Sequence, residues 1–240
     1  MFNIIMRSVV SVALLGLFIS ALAVPVQSAS ASAPAPAPWR IMPVGDSITE
    51  GGKTFSVYRY PLWKKLTAAG VRFEFVGSKS TPSPDGPLAH EGYSGKNAEF
   101  LLKTVPAHFN KTPADIVLLH AGHNYSVEMN PVPKIIAADE QLIAELRALN
   151  PRLIVLVAQV IPSAKLPKYS YHPALNLALA EMAARLHQPG QPVLIVDQRP
   201  GFDTATDLVA DLVHPNARGA EKMATRWFEA LQPILQKPKP

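Results

Sequence analysis

Four short strings in this chain carry residue types that can perform acyl transfer. The first is Gly45-Asp46-Ser47-Ile48-Thr49-Glu50-Gly51. A serine on a glycine-flanked turn out of a strand can present its hydroxyl at the strand's end. Its backbone N–H then lies near a helix N-terminus, where it can hold an oxyanion. A serine hydroxyl is a weak nucleophile and needs a base. His214, in Asp211-Leu212-Val213-His214-Pro215, is the candidate base. Residues i and i+3 are neighbours on a turn or helix, so Asp211 can accept the imidazole N–H, fix its tautomer and stabilise the imidazolium. Asn124, in Ala121-Gly122-His123-Asn124-Tyr125, offers a side-chain N–H. Gly95, in His90-Glu91-Gly92-Tyr93-Ser94-Gly95, lacks a Cβ, so its backbone can approach a substrate closely. Together with the Ser47 N–H these two would complete an oxyanion hole. Each string also has a plainer structural reading taken alone: helix caps for Ser47 and Asp46, a surface pair for Asp211 and His214, an Asx-turn for Asn124, a tight turn for Gly95.

The elements between these strings decide whether they can meet. Short apolar runs at 40–44, 71–76, 115–120, 153–158 and 193–197 read as strands. Helical patterns fall at 61–69, 97–105, 133–149, 173–186 and 215–231, with Gly70, Asn150-Pro151 and Pro189-Gly190 as stops. Strands that alternate with helices and read as continuous apolar runs predict a parallel sheet covered on both faces. The expectation is an α/β fold, a three-layer α/β/α sandwich with a five-stranded parallel sheet in the order 2-1-3-4-5. Such sheets bind ligands at the carboxyl ends of their strands. All four strings follow strands there. That convergence on one rim outweighs the plainer readings of each string.

Other rim residues are candidates to line a substrate site: Asp46, Arg59, Tyr93, His123, Tyr125 and Gln159, with Arg59 also placed to brace the Ser47 loop. A rival chemistry would use His120, His123, His90 and Asp46 as metal ligands. No known ligand spacing is met, and His120 ends a buried strand, where a core hydrogen bond is the expected fate of its ring. No metal and no cofactor are therefore expected.

Composition narrows the class. About half the residues are apolar and the net charge is +5, with the basic residues scattered rather than clustered. This argues for a globular protein and against nucleic acid as a partner. Arg7, the apolar stretch 8–23 and Ala21-Leu22-Ala23 form the three regions of an export signal, expected to be cleaved after residue 23. No Lys/Arg stop follows, so no stable membrane association is expected after cleavage. Residues 24–38 read as a Ser/Ala/Pro-rich tether, 39–232 as the folded domain and 233–240 as a flexible tail. The protein is expected to be secreted or periplasmic, and its lack of any cysteine leaves stability to the core.

These four blocks resemble those of the SGNH hydrolases, the GDSL-type esterases and lipases. The resemblance spans nearly all of 40–231, and its most specific part is DLVHPNARG. It implies Ser47 as nucleophile, Asp211 and His214 as its partners, and Ser47, Gly95 and Asn124 as the oxyanion hole. Strings such as YRYPLWKKL, HEGYSG and DIVLLH are similar to carbohydrate esterase family 3, which includes acetylxylan esterases. The implied substrate is a small ester or an acetylated carbohydrate; lipase or thioesterase chemistry is the alternative. Two departures bear on substrate choice. The usual G-x-N-D is Gly122-His123-Asn124-Tyr125, and the Trp common after Gly95 is Lys96. The altered third block also motivates a third reading, a non-catalytic sugar-binding protein with Tyr93, Tyr125, Tyr169 and Tyr171 as stacking platforms.

Overall fold

The computed structural model describes residues 1–3, 8, 37–237 and 239. The expected export signal and the tether fall almost wholly outside the described residues. Every element described below lies within one unit, Pro36–Pro240.

The chain runs β1 (Trp39–Gly45), α1 (Ser47–Glu50), α2 (Arg59–Ala68), β2 (Phe73–Phe75), β3 (Lys79–Thr81), β4 (Leu88–Gly92), α3 (Ala98–Lys111), β5 (Ile116–His120), α4 (Val132–Leu149), β6 (Ile154–Gln159), α5 (His172–Leu186), β7 (Val193–Asp197) and α6 (Ala217–Leu235). The sheet has seven strands, in the order β3-β4-β1-β5-β6-β7 with β2 also on β1. The expected five strands therefore need correcting. The expected order survives as five lanes, because β2 and β4 share one side of β1. β2 pairs with Trp39 to Ile41 and β4 with Val44 and Gly45. β3 adds an antiparallel edge to β4. Both extra strands lie in the segment that reads as a loop. Lys79-Ser80-Thr81 and Leu88-Ala89-His90-Glu91-Gly92 carry too few apolar residues to show a strand pattern.

The apolar runs serve two cores. Along β5, Ile116 and Leu118 join the core under α2 and α6 with Leu62, Leu66 and Trp227. Val117 and Leu119 join the core under α3, α4 and α5 with Leu101, Leu142 and Leu179. Alternate residues of a strand point to opposite faces, so burial on both faces requires an unbroken apolar run. α3 continues to Lys111 through Pro106, beyond the expected end at 105. The proline removes one backbone N–H, and burial of Leu101, Val105 and Phe109 along one face offsets that loss. α6 likewise continues past 231 to Leu235, with Asn216 accepting from the Arg218 and Gly219 N–H groups as its cap.

Asp139 sits buried on α4, and neither carboxylate oxygen has a partner among the described residues. Burial, aided by the charge of Glu99, pushes its carboxyl well above the usual range. The folded state thus keeps a proton that the unfolded chain releases, and stability falls as pH rises from the ordinary carboxylate range through the raised value. Asp139→Asn removes that slope. Denaturant unfolding at pH 5 and pH 8 should show the variant gaining on the parent with rising pH, by up to about 1.4 kcal/mol per pH unit within the window. A pH-independent difference would refute a protonated Asp139.

Candidate active site

β1 ends at Gly45, where an added Cβ would lie 2.4 Å from both the His120 carbonyl and Thr49 Oγ1. Only glycine allows this approach, and it lets the chain turn at once into α1. Asp46 caps that turn, its Oδ1 accepting from the Ile48 N–H at 2.9 Å. Ser47 follows as the first residue of α1, and its side chain reaches across the strand ends. Its Oγ lies 2.7 Å from His214 Nε2, a residue 167 positions away in sequence. His214 Nδ1 is 2.6 Å from Asp211 Oδ2. Asp211 Oδ1 also accepts from the Val213 and His214 N–H groups, each at 2.9 Å. Burial alone would raise this carboxyl; hydrogen bonds from His214 and Val213 outweigh it and hold Asp211 below the usual carboxylate range. A carboxylate kept ionised beside Nδ1 holds the proton there and leaves Nε2 free to accept.

The connection between Asp211 and His214 is strained. Leu212 has φ +64° and an exposed side chain, a left-handed conformation unusual for a residue other than glycine. The Ala164 N–H and Ser163 Oγ hold its carbonyl at 3.0 and 2.7 Å.

Gly95 has φ +73°, where an L side chain would be strained even though open space surrounds the position of a Cβ. Asn124 has φ +68°, and its Nδ2 donates to the Lys96 carbonyl at 2.9 Å. One of its two amide hydrogens is thereby fixed on the loop that carries Gly95, which orients the amide. Glu50 fastens the same loop to α1, accepting from the Ser94 N–H at 2.6 Å and pairing with Lys79, whose Nζ also donates to the Gly92 carbonyl at 2.9 Å. Burial raises the Glu50 carboxyl, but these bonds more than offset it and keep it below its ordinary range.

Several rim residues expected to line a substrate site are buried instead. Arg59 is 1% exposed and braces the nucleophile turn, donating to the Thr49, Glu50 and Leu88 carbonyls and to Thr81 Oγ1 at 2.7 to 2.9 Å. Tyr125 accepts from the Ala98 N–H and donates to Glu99, tying the third loop to the start of α3. Gln159 is held between the Asn176 carbonyl and Arg199. Asp46 and His123 are buried beneath the rim, with His123 Nδ1 3.8 Å from Asp46 Oδ2. Burial pushes the Asp46 carboxyl up to about 7, against hydrogen bonds from backbone N–H groups. Among the four tyrosines considered as sugar platforms, Tyr125, Tyr169 and Tyr171 are buried, and Tyr171 donates to the Gly122 carbonyl. Tyr93 is half-buried, its hydroxyl donating to Glu91 at 2.5 Å. His90 stands apart from His120 and His123, with Nδ1 accepting from the Gly92 N–H and Nε2 beside Thr81 Oγ1.

Phe55 joins the site only through the fold. Its ring stacks on His214 with centroids 4.0 Å apart and 20° between planes. It lies in a Gly- and Ser-containing loop, GGKTFS, where a lone aromatic carries no periodic signal. Phe55→Ala should leave the fold intact and lower kcat on a small ester about three- to tenfold, the worth of one ring stack. An unchanged kcat would mean that the hydrogen bonds alone hold the imidazole.

Comparison with known families matches residues 44–222 to the GDSL-like lipase/acylhydrolase family. Comparison with curated proteins gives no match. Among solved structures, a carbohydrate esterase family 3 protein from Talaromyces cellulolyticus is 27% identical, covering 82% of this chain and 98% of its own, at a TM-score of 0.73. A serine-to-alanine mutant of an acetyl esterase, solved with acetate ion, is 26% identical over 82% of this chain and 98% of its own, with a TM-score of 0.72. A family 3 carbohydrate esterase from Clostridium thermocellum is 27% identical over 83% and 98%, with a TM-score of 0.70. A family match over most of the chain, on a fold shared with these esterases, places this protein in the GDSL-like lipase/acylhydrolase family, as a hydrolase acting on esters.

Proposed function

We propose that this protein is an exported serine esterase that removes short acyl groups, acetyl above all, from carbohydrate. The observation that carries the reading is the continuous relay from Ser47 Oγ through His214 to Asp211, with 2.7 and 2.6 Å between successive partners. Ser47 attacks the ester carbonyl while His214 Nε2 takes its proton. Asp211 stabilises the imidazolium that forms. The Ser47 and Gly95 N–H groups and the Asn124 amide receive the oxyanion. His214 then returns the proton to the leaving alcohol, and water enters by the same route to free the acid.

Acetyl and carbohydrate enter from the likeness to family 3 carbohydrate esterases and to an acetyl esterase solved with acetate. Export is supported by the basic, apolar and small-residue order of 1–23. Among the described residues no helix is long and apolar enough to cross a membrane. The test is hydrolysis of p-nitrophenyl acetate and butyrate, followed by acetate release from acetylated xylan. Acetate preferred over butyrate, with release from xylan, is the expected result. A preference for longer acyl chains would redirect the reading to a lipase or thioesterase. Failure of the folded protein on every ester would remove the catalytic reading of Ser47.

A further inference from the structure

Beneath the catalytic rim lies a polar cluster that the ester chemistry does not use. His120 ends β5, His123 follows three residues later, His172 opens α5, and Asp46 ends the turn out of β1. Their exposures are 0%, 1%, 3% and 1%. Among the described residues, none of the six ring nitrogens has a hydrogen-bond partner, and neither does Asp46 Oδ2. The core hydrogen bond expected for His120 is absent among the described residues. Buried polar atoms are satisfied in nearly every protein, so this concentration of unpartnered atoms calls for a partner that the chain's own groups do not supply.

The geometry narrows that partner. One ligand atom each from Asp46, His120 and His123 lie within 4.8 Å of one another. The rings of His120 and His123 are near parallel, 14° apart, with centroids at 5.8 Å. His172 packs edge-on against His123 at 4.6 Å. A tetrahedral ion with bonds of about 2.0–2.2 Å sets its ligands roughly 3.3–3.6 Å apart, so the widest pair closes by on the order of 1 Å through side-chain rotation. Two imidazoles and a carboxylate suit zinc and its transition-metal neighbours, whereas magnesium and calcium favour all-oxygen sets.

We propose that Asp46, His120 and His123 bind one divalent transition-metal ion of the zinc class as a buried structural site, with His172 packed against it. The ligands come from two strand ends, which is why no sequence spacing marks the site. Asp46 immediately precedes Ser47 and His123 immediately precedes Asn124. The ion therefore fastens the nucleophile turn to the oxyanion loop. That positional role rests on the function proposed above; binding of the ion does not.

The full chain, stripped with a chelator, loaded with zinc or cobalt and desalted, tests this. About one equivalent of zinc should remain on the parent and equally on Ser47→Ala. The cobalt form should show visible d–d absorption, and zinc should raise the unfolding temperature. Asp46→Asn and His123→Gln should each retain metal at least tenfold more weakly. Less than a tenth of an equivalent on the parent, with no cobalt absorption, would overturn the site and leave water as the partner of these atoms. Equal retention by parent and folded variants would overturn it too, by assigning the metal to exposed groups. The parent's stoichiometry and spectrum decide the matter even if a variant fails to fold. Metal retained without esterase activity would sink the proposed function alone; esterase activity in a parent that retains no metal after loading would sink this site alone.

Discussion

Ser47→Ala will fold as the parent does and lose ester hydrolysis by roughly 10⁴- to 10⁶-fold. Among the described residues the side chain's one hydrogen bond is to His214 Nε2, and Ser47 is 8% exposed, so its removal leaves neither a large cavity nor a stranded charge. Thermal unfolding should therefore be nearly unchanged. The loss is large because, among the described residues, the hydroxyl that pairs with His214 Nε2 is that of Ser47. Hydrolysis left over would come from the oxyanion donors acting on water. The measurement is turnover of p-nitrophenyl acetate with an acyl-enzyme burst in the parent and none in the variant. Substantial residual turnover at parental pH dependence would move the nucleophile elsewhere.

Asn124→Ala should lower kcat by about 10²- to 10³-fold, the usual cost of one oxyanion donor, with a much smaller change in KM. A donor aimed at charge that develops only in the transition state contributes little to ground-state binding. The same substitution has a second consequence here. Asn124 sits at φ +68°, which asparagine tolerates better than alanine, and its amide holds the Lys96 carbonyl. A loss of about 1 kcal/mol in stability should accompany the kinetic defect. Asn124→Asp separates the backbone strain from the lost donor: it tolerates the same φ, but it can no longer donate to the Lys96 carbonyl and offers a negative charge where the oxyanion is proposed to form. It should be at least as slow as the alanine variant. Activity near the parental level in either would show that backbone N–H groups suffice.

Sequence and structure agree where the physics is local. Asp211 and His214 are three residues apart, so their contact follows from one turn of chain and is legible in DLVHP before any fold is known. The runs IVLLH and IVLVAQ announce strands buried on both faces, because only that environment favours unbroken apolar residues. Once those strands are parallel, their carboxyl ends form one rim, and Ser47, Gly95, Asn124 and His214 must gather there.

Contacts between distant segments were settled only by the tertiary structure. Strands β3 and β4 are polar and short, and they exist because β1 and each other supply their ladders. Arg59 reads both as a lining residue and as a brace for the Ser47 loop; folding decides for the brace, because its guanidinium is buried against carbonyls of α1 and β4. Phe55 becomes a wall of the site through ring packing that no periodicity encodes. Asp46, His120, His123 and His90 meet no known ligand spacing in the sequence; the strand order brings the first three together, adds His172 and leaves His90 apart. The sequence by itself determined which chemistry the chain can carry and which edge carries it, because side-chain type and strand period are local properties. Which side chains face the substrate and which are buried to hold the loops was decided by packing, which depends on every segment at once.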